Sequence, residues 1–396
     1  MKILILNSGS SSIKYKLIIM PSEAVVCEGL IERIGSPDAI FKYSNKDSEL
    51  TDTRKISSHK EGLELITRTI SDEEIGVIHN VEDITAVGHR VVHGGNTFTD
   101  TTLVNEAVLE KIRELSNLAP LHNPHNLEGI QLAEKMFPNA KQVAVFDTAF
   151  HQTIPAKSKK YALPKKWNSE YDIEVYGFHG TSHKYVAEQT NSYLGKKNTR
   201  IITIHLGNGC SMTAVQDGKS VEHSMGFTPS NGLIMGTRSG DIDPFIIFHL
   251  VFNLGYDLEL VRHQLLKESG MKGLTGYTDM RDIQREAGEG NPDCLLALEM
   301  NAVRIKKYIG SYAAIMNGLD AIVFTAGIGE NSDTLREMVC RDMQYLGIEL
   351  DKDKNRGRFG KLREINTKNS SVKVLVVPTD EELEIATQVY SVCQEL

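Results

Sequence analysis

Short apolar runs broken by glycine- and serine-rich turns dominate the start of this chain. Ile3 to Leu6 is an uninterrupted apolar run and predicts a buried strand. The turn Asn7-Ser-Gly-Ser-Ser-Ser12 follows, then a second strand from Ile13 to Met20 and a third from Val25 to Arg33. Together these predict an antiparallel meander. Helical spacing marks Glu61 to Ile70, Glu74 to Ile78, Asn105 to Asn117 and Pro124 to Met136. Ile84 to His89 and Lys141 to Phe146 read as strands.

The opening pattern then returns. Arg200 to Val215 reads strand, Gly/Asn/Ser turn, strand, and the hairpin turn Asp217-Gly218 leads to a third strand ending at Ser224. Gly9 and Gly209 hold matching places in the two copies. A unit repeated about 200 residues apart implies two related domains, with a ligand between them as the economical use of that arrangement. Helices are expected over Phe245–Asn253, Leu258–Ser269 and Pro292–Asn317. A strand from Ala321 to Thr325 meets a glycine turn, Ala326-Gly-Ile-Gly-Glu-Asn331, and a helix from Asp333 to Tyr345. Residues 352–371 read as a polar loop and edge, Val372 to Val377 as the last strand, and Glu381 to Gln394 as the last helix.

Composition narrows the function. A length of 396 residues favours two domains. A net charge of −8 excludes the broad basic field of a nucleic-acid binder, yet leaves room for nucleotides, which need only local cations and amides. The 5 cysteines are odd in number and form no CxxC pair, so neither a disulfide framework nor a zinc–thiolate site is expected. With no leader and no long apolar run, a cytoplasmic protein without a membrane span is expected.

No GxxxxGK[ST] or GxGxxG motif is present, so any phosphate must be held by other loops. The Asn7–Ser12 and Gly207–Ser211 turns are candidates, because glycine allows close backbone approach and hydroxyls add donors without bulk. Arg90, just after a strand, and Arg238 each lie among glycines and small residues, where a guanidinium suits carboxylate or phosphoryl oxygens. His179 and His183 lie four apart, but Gly180 occupies the place of the glutamate in a HExxH zinc motif. Capping is the simpler role for His125 and His183. Asp147 follows a strand, a common seat for Mg²⁺.

Seven motifs in register carry a resemblance. They are Asn7 to Lys14, His89 to Gly95, Phe146 to His151, Gly177 to His183, His205 to Ser211, Met235 to Pro244 and Gly327 to Asn331. In order and spacing they resemble the acetate kinase (acetokinase) family, of the acetate and sugar kinase, heat-shock chaperone and actin superfamily. The resemblance implies an α/β fold of two duplicated actin-like (ribonuclease H-like) domains with a nucleotide cleft between them. Residues 1–147 plus 380–396 would form one domain, and 148–379 a second that binds ATP and carries the dimer contacts. The implied reaction is reversible, Mg²⁺-dependent (or Mn²⁺-dependent) transfer of the ATP γ-phosphoryl to acetate, giving acetyl phosphate and ADP.

By the same resemblance, Asn7 and Glu381 serve the metal, and Lys14 the nucleotide phosphates. Arg90, Asp147, His179 and Arg238 are catalytic, with Arg90 and His122 also binding substrate. Val92, Leu121, Phe178 and Pro229 form the acyl pocket. ATP is held by His205, Leu206, Gly207, Asn208 and Gly209, by Asp279, Met280 and Arg281, and by Gly327, Ile328, Gly329, Glu330 and Asn331. A propionate or butyrate kinase, or a non-catalytic chaperone-type ATPase switch, are the alternatives. A homodimer is the expected assembly.

Overall fold

A computed structural model describes residues 1–357 and 361–395. The chain forms two compact units, residues 1–152 with 380–396 and residues 153–379. The fold is mixed α/β with two sheets.

The first unit contains strands β1 (Lys2–Ser8), β2 (Ser12–Ile19), β3 (Ala24–Glu32), β4 (Ala39–Asn45), β5 (Glu49–Arg54), β6 (Ala86–Val91), β7 (Thr102–Leu103) and β8 (Lys141–Phe146). Their order is β5-β4-β3-β2-β1-β6-β8-β7. The second unit contains β9 (Arg200–Leu206), β10 (Cys210–Gln216), β11 (Lys219–His223), β12 (Ala321–Thr325), β13 (Arg363–Glu364) and β14 (Lys373–Val376), in the order β11-β10-β9-β12-β14-β13. Both sheets share one core, a three-strand antiparallel meander followed by two parallel strands: β3-β2-β1-β6-β8 and β11-β10-β9-β12-β14. The recurrence of the opening pattern near residue 200 is therefore a duplicated topology.

Strand β1 shows why its sheet is covered on both faces. Side chains alternate along a strand, so Leu4 and Leu6 enter the layer with Leu63 and Ile66 of the helix His59–Ile70. Ile3 and Ile5 point the other way, onto Ile385, Ala386 and Val389 of the C-terminal helix Glu381–Gln394. That helix lies very close to β6. A Cβ at Gly88 would come within 2.9 Å of Ile385, Ile5 and Val389 side-chain atoms, so glycine sets the depth at which the helix seats.

Several sequence expectations change. Residues 74–78 form turns, because the Asp72 carboxylate accepts from the Glu74 and Ile75 amides and draws the backbone out of helix. Arg90 lies inside β6, paired with Val145, rather than after the strand. The segment Ala326–Asn331 is a short helix, not a glycine turn. Phe245–Asn253 begins as α-helix and passes into π-helix at His249. Residues 352–371 hold a helical turn, Lys352–Arg356, and the edge strand β13, while 358–360 lie outside the described residues. All five cysteines are buried and unpaired. Among the described residues no helix is long and apolar enough to cross a membrane.

Two buried imidazoles in the first unit give a pH-dependent stability. The His89 ring donates from Nε2 to Gln142 Oε1 (2.8 Å), and His93 Nδ1 accepts from the Gly95 amide (3.0 Å). Burial lowers the pKa of each to about 4, because the charged form would lose its water. The unfolded chain takes up these protons near pH 6.5, so the stabilisation is complete above that pH and is lost as pH falls towards 4. At pH 5 each should contribute about 2 kcal/mol of destabilisation relative to pH 7. Urea midpoints measured from pH 7 to 5 should fall, and a His89→Gln chain should show a shallower fall. Equal slopes for the two proteins would contradict this.

Candidate active site

In the first unit, the carboxyl ends of β1, β6 and β8 bring Asn7, Arg90 and Asp147 side by side. Parallel α/β strands place ligand-binding groups at this end. Arg90 forms a two-pronged pair with Asp147, Nε to Oδ1 at 2.9 Å and Nη2 to Oδ2 at 2.5 Å. Its Nη1 is 3.5 Å from Asn7 Oδ1, and its Nε is 4.0 Å from Glu381 Oε2. Asp147 is only 1% exposed. Burial by itself would lower the Arg90 pKa, but the charges of Asp147 and Glu381 hold it above its ordinary value. Burial raises the Glu381 pKa, and Arg90 opposes that rise.

Two carboxylates flank the one guanidinium of this cluster. Its donors are two carboxylates and an amide oxygen, all hard, which suits Mg²⁺ bound through a few protein oxygens with waters and substrate phosphates completing the shell. Among the described residues there is no all-protein metal cage of three or more His, Cys, Asp or Glu. A shared site of this kind does not need one.

The C-terminal helix presents Glu381 at its first turn, after an Asp380 cap that accepts from the Leu383 amide (3.0 Å). Its acidic start is balanced from β2. Lys14 pairs with Glu382 at 2.7 Å, and the buried Lys16 reaches Asp380 (3.3 Å), Glu28 (3.4 Å) and Glu382 (3.7 Å). The sequence reading named Lys14 but missed Lys16 and Asp380. Strand alternation of the two lysines was the available signal, though charge along a strand is ordinarily solvent-facing. Val92 is nearly buried and His122 caps the helix Asn123–Met136, whereas Leu121 is 53% exposed.

In the second unit, β9 ends at Leu206 and the chain turns through Gly207–Gly209 into β10. His179, at the N-terminus of the helix Gly180–Leu194, adopts a left-handed backbone with φ 56°. Its neighbour Phe178, itself buried, donates its amide to His223 Nε2 (3.1 Å). The His179 ring stacks on His205 with centroids 4.3 Å apart, and its Nδ1 is 2.8 Å from Ser211 Oγ. A Cβ at Gly209 would lie 3.4 Å from His179 Nε2 and 3.7 Å from Arg238 Nη1. Glycine thus keeps open a space bordered by an imidazole and a guanidinium.

Arg238 donates from Nη1 to the Pro229 carbonyl (2.6 Å) and makes no ion pair among the described residues. Burial lowers its pKa. A half-buried guanidinium without a carboxylate is chemically suited to an anion. The segment Gly327–Asn331 directly follows β12, and the buried Arg336 holds the Gly329 and Glu330 carbonyls at 2.8 and 3.0 Å. Asp279 caps the helix Met280–Gly288 and pairs with the exposed Arg281, while Gln284 of that helix bonds Ser332 just beyond the Gly327–Asn331 segment.

Comparison with known proteins adds the chemistry. The sequence model of the Acetokinase family matches residues 2–387. The acetate kinase of Flavobacterium johnsoniae is 60% identical over 394 residues, covering 100% of both chains. The crystal structure of Porphyromonas gingivalis acetate kinase superposes with a TM-score of 0.93 at 43% identity, covering 99% of each chain. A propionate kinase from Francisella tularensis gives a TM-score of 0.93 at 41% identity, covering 98% of this chain and 99% of its own.

Proposed function

Because this chain belongs to the acetokinase family, we propose that it is an acetate kinase, transferring the γ-phosphoryl of ATP reversibly to the carboxylate of acetate. The observation that carries this reading is one anion-suited arginine in each unit. Arg90 is held rigid by Asp147 beside hard-oxygen donors, and Arg238 is half-buried without a carboxylate partner. Such guanidinium groups suit an anionic acceptor and an anionic transferred group.

A carboxylic acid of pKa about 4–5 is already ionised at neutral pH, so the nucleophile needs no strong base. The barrier is the repulsion between that carboxylate and the phosphates. Arg90 orients the carboxylate, with His122 beside the same strand ends. Asp147 holds Arg90 through two bonds and acts by fixing that guanidinium, not by taking a proton. Arg238 and His179 donate to the oxygens of the transferring phosphoryl group. Asn7 and Glu381 would hold Mg²⁺, or Mn²⁺ in its place, which when bound supplies charge neutralisation of the ATP phosphates. Lys14 reaches those phosphates by leaving Glu382. The His205–Gly209 turn, Asp279–Arg281 and Gly327–Asn331 take the nucleotide.

Val92 of the first unit, nearly buried just beyond the strand that carries Arg90, is the apolar residue assigned to the methyl group of acetate. Replacing Val92 by alanine should shift preference towards propionate by about 1 kcal/mol, the low end for one methylene in an apolar pocket. The shift should appear mainly as a lower KM for propionate with ATP parameters unchanged; unaltered selectivity would show the pocket to be elsewhere. The likeness to a propionate kinase makes that acid the second reading. ADP release measured with acetate, propionate and butyrate tests both. The highest kcat/KM is expected for acetate, and a preference for a longer acid would replace the conclusion.

The chain works as a homodimer in the cytoplasm on this reading. Phe245, Phe248 and Phe252 are 71%, 49% and 78% exposed, which supports a covering partner. Five unpaired cysteines support a reducing compartment.

A further inference from the structure

Behind His179 lies a chain of buried hydroxyls and a second imidazole. Ser211 Oγ is 2.8 Å from His179 Nδ1 and also 2.8 Å from His183 Nε2. His183 Nδ1 is 2.7 Å from Thr203 Oγ1. Ser211, His183 and Thr203 are each 0% exposed. These partners come from three elements: Thr203 from β9, Ser211 from β10 and His183 from the helix that His179 begins.

A hydroxyl carries one proton. Ser211 therefore cannot donate to both rings, and at least one histidine must donate to it. The Thr203 hydroxyl sits 2.7 Å from His183 Nδ1 but 3.5 Å from the Thr213 carbonyl, so its proton goes to the imidazole. That leaves the His183 proton on Nε2, directed at Ser211, and Ser211 then donates to His179 Nδ1. His183 and Ser211 each give one hydrogen bond along this chain and take one, and the buried chain carries no net charge, which burial would penalise. At its far end the His179 proton must sit on Nε2, the ring nitrogen beside the open space at Gly209.

We infer that Ser211 is a positioning residue for phosphoryl transfer: with His183 and Thr203 behind it, it fixes His179 in the tautomer that donates from Nε2. The inference rests on the reading of His179 as the group that faces the phosphoryl oxygens. A donor is what developing negative charge on those oxygens requires, whereas the opposite tautomer would present a lone pair to them. The left-handed turn at His179 and the His205 stack aim the ring, and the hydroxyl chain decides its proton.

Three variants and one spectrum test this. Ser211→Ala should lower kcat by about 10- to 100-fold, the scale for losing an outer partner that orients a working imidazole. KM for acetate and ATP should stay within roughly twofold, since a group acting only in the transition state leaves ground-state binding intact. Ser211→Thr keeps the hydroxyl and should restore most of the rate. In protein carrying ¹⁵N-labelled histidine, at a pH of about 8 and so above the usual imidazole pKa, His179 should show a protonated Nε2 and a bare Nδ1. The alanine variant should show a mixture of tautomers. Wild-type protein with the His179 proton on Nδ1 overturns the inference without any variant. So does a Ser211→Ala enzyme with full kcat, or one with an unchanged His179 spectrum. His179→Ala separates the layers: if it is inactive while Ser211→Ala is normal, the inference alone fails. If His179→Ala is fully active, the reading of the site fails too.

Discussion

Replacing Arg90 by alanine should lower kcat by about 10²- to 10³-fold, the cost of losing one preorganised charge-stabilising donor. The structure gives reason to expect the upper end. Arg90 is the only cation among the four side chains that meet at the strand ends, so its removal takes away the cation paired with Asp147 and close to Glu381. Asp147, at 1% exposure, has little water to replace the two lost bonds. An anionic acceptor would then approach a site of the wrong sign. Arg90→Lys should recover only part of the rate, because an ammonium cannot satisfy both carboxylate oxygens in the plane of a fork. Steady-state kinetics check this, with KM for acetate expected to rise alongside the fall in kcat. An alanine variant of near-normal turnover would remove Arg90 from the mechanism.

Arg238→Ala should cost about 10²-fold or more in kcat, again the scale of one transition-state donor, but with a different signature. No carboxylate loses its partner here, so the fold should be unaffected and the thermal midpoint nearly unchanged. KM for acetate should barely move if Arg238 touches only the transferring group. Groups that serve one transition state are not additive. The Arg90→Ala/Arg238→Ala double variant should therefore lose less than the product of the single losses. Strict multiplicativity would mean that the two arginines act in separate steps.

Much of the architecture could be read from local pattern. The repeated strand–turn–strand unit was visible because both copies bury apolar runs around a glycine turn, and the C-terminal helix because its apolar spacing is regular from Glu381 to Gln394. Strands β4 and β5 were not legible. In β4 the core residues Ala39, Phe41 and Tyr43 alternate with a half-buried Ile40, which blurs the two-residue period, and β5 is an exposed edge strand with a single apolar residue. Residues 74–78 had helical spacing but lost to two amide bonds accepted by the Asp72 carboxylate. In the site, Arg90, His179 and Arg238 could be named from glycine-flanked motifs, and Asp147 from its place after a strand. Their supports could not. Lys16 and Thr203 are unremarkable strand residues, Ser211 was visible only as a hydroxyl of a candidate phosphate turn, and strand register brings all three to the carboxylates and imidazoles they serve.

The most direct test of the whole account follows one oxygen atom. The purified chain is given ATP, Mg²⁺ and acetate labelled with ¹⁸O in both carboxyl positions, and the product is read by ³¹P NMR. If an acetate carboxylate attacks the γ-phosphorus, acetyl phosphate must form with ¹⁸O in its bridging position, detected as an isotope shift of the phosphorus resonance, together with one ADP per acyl phosphate. ADP appearing without acyl phosphate would instead make the chain an ATPase switch, and acetyl phosphate lacking the bridging label would contradict attack by the carboxylate.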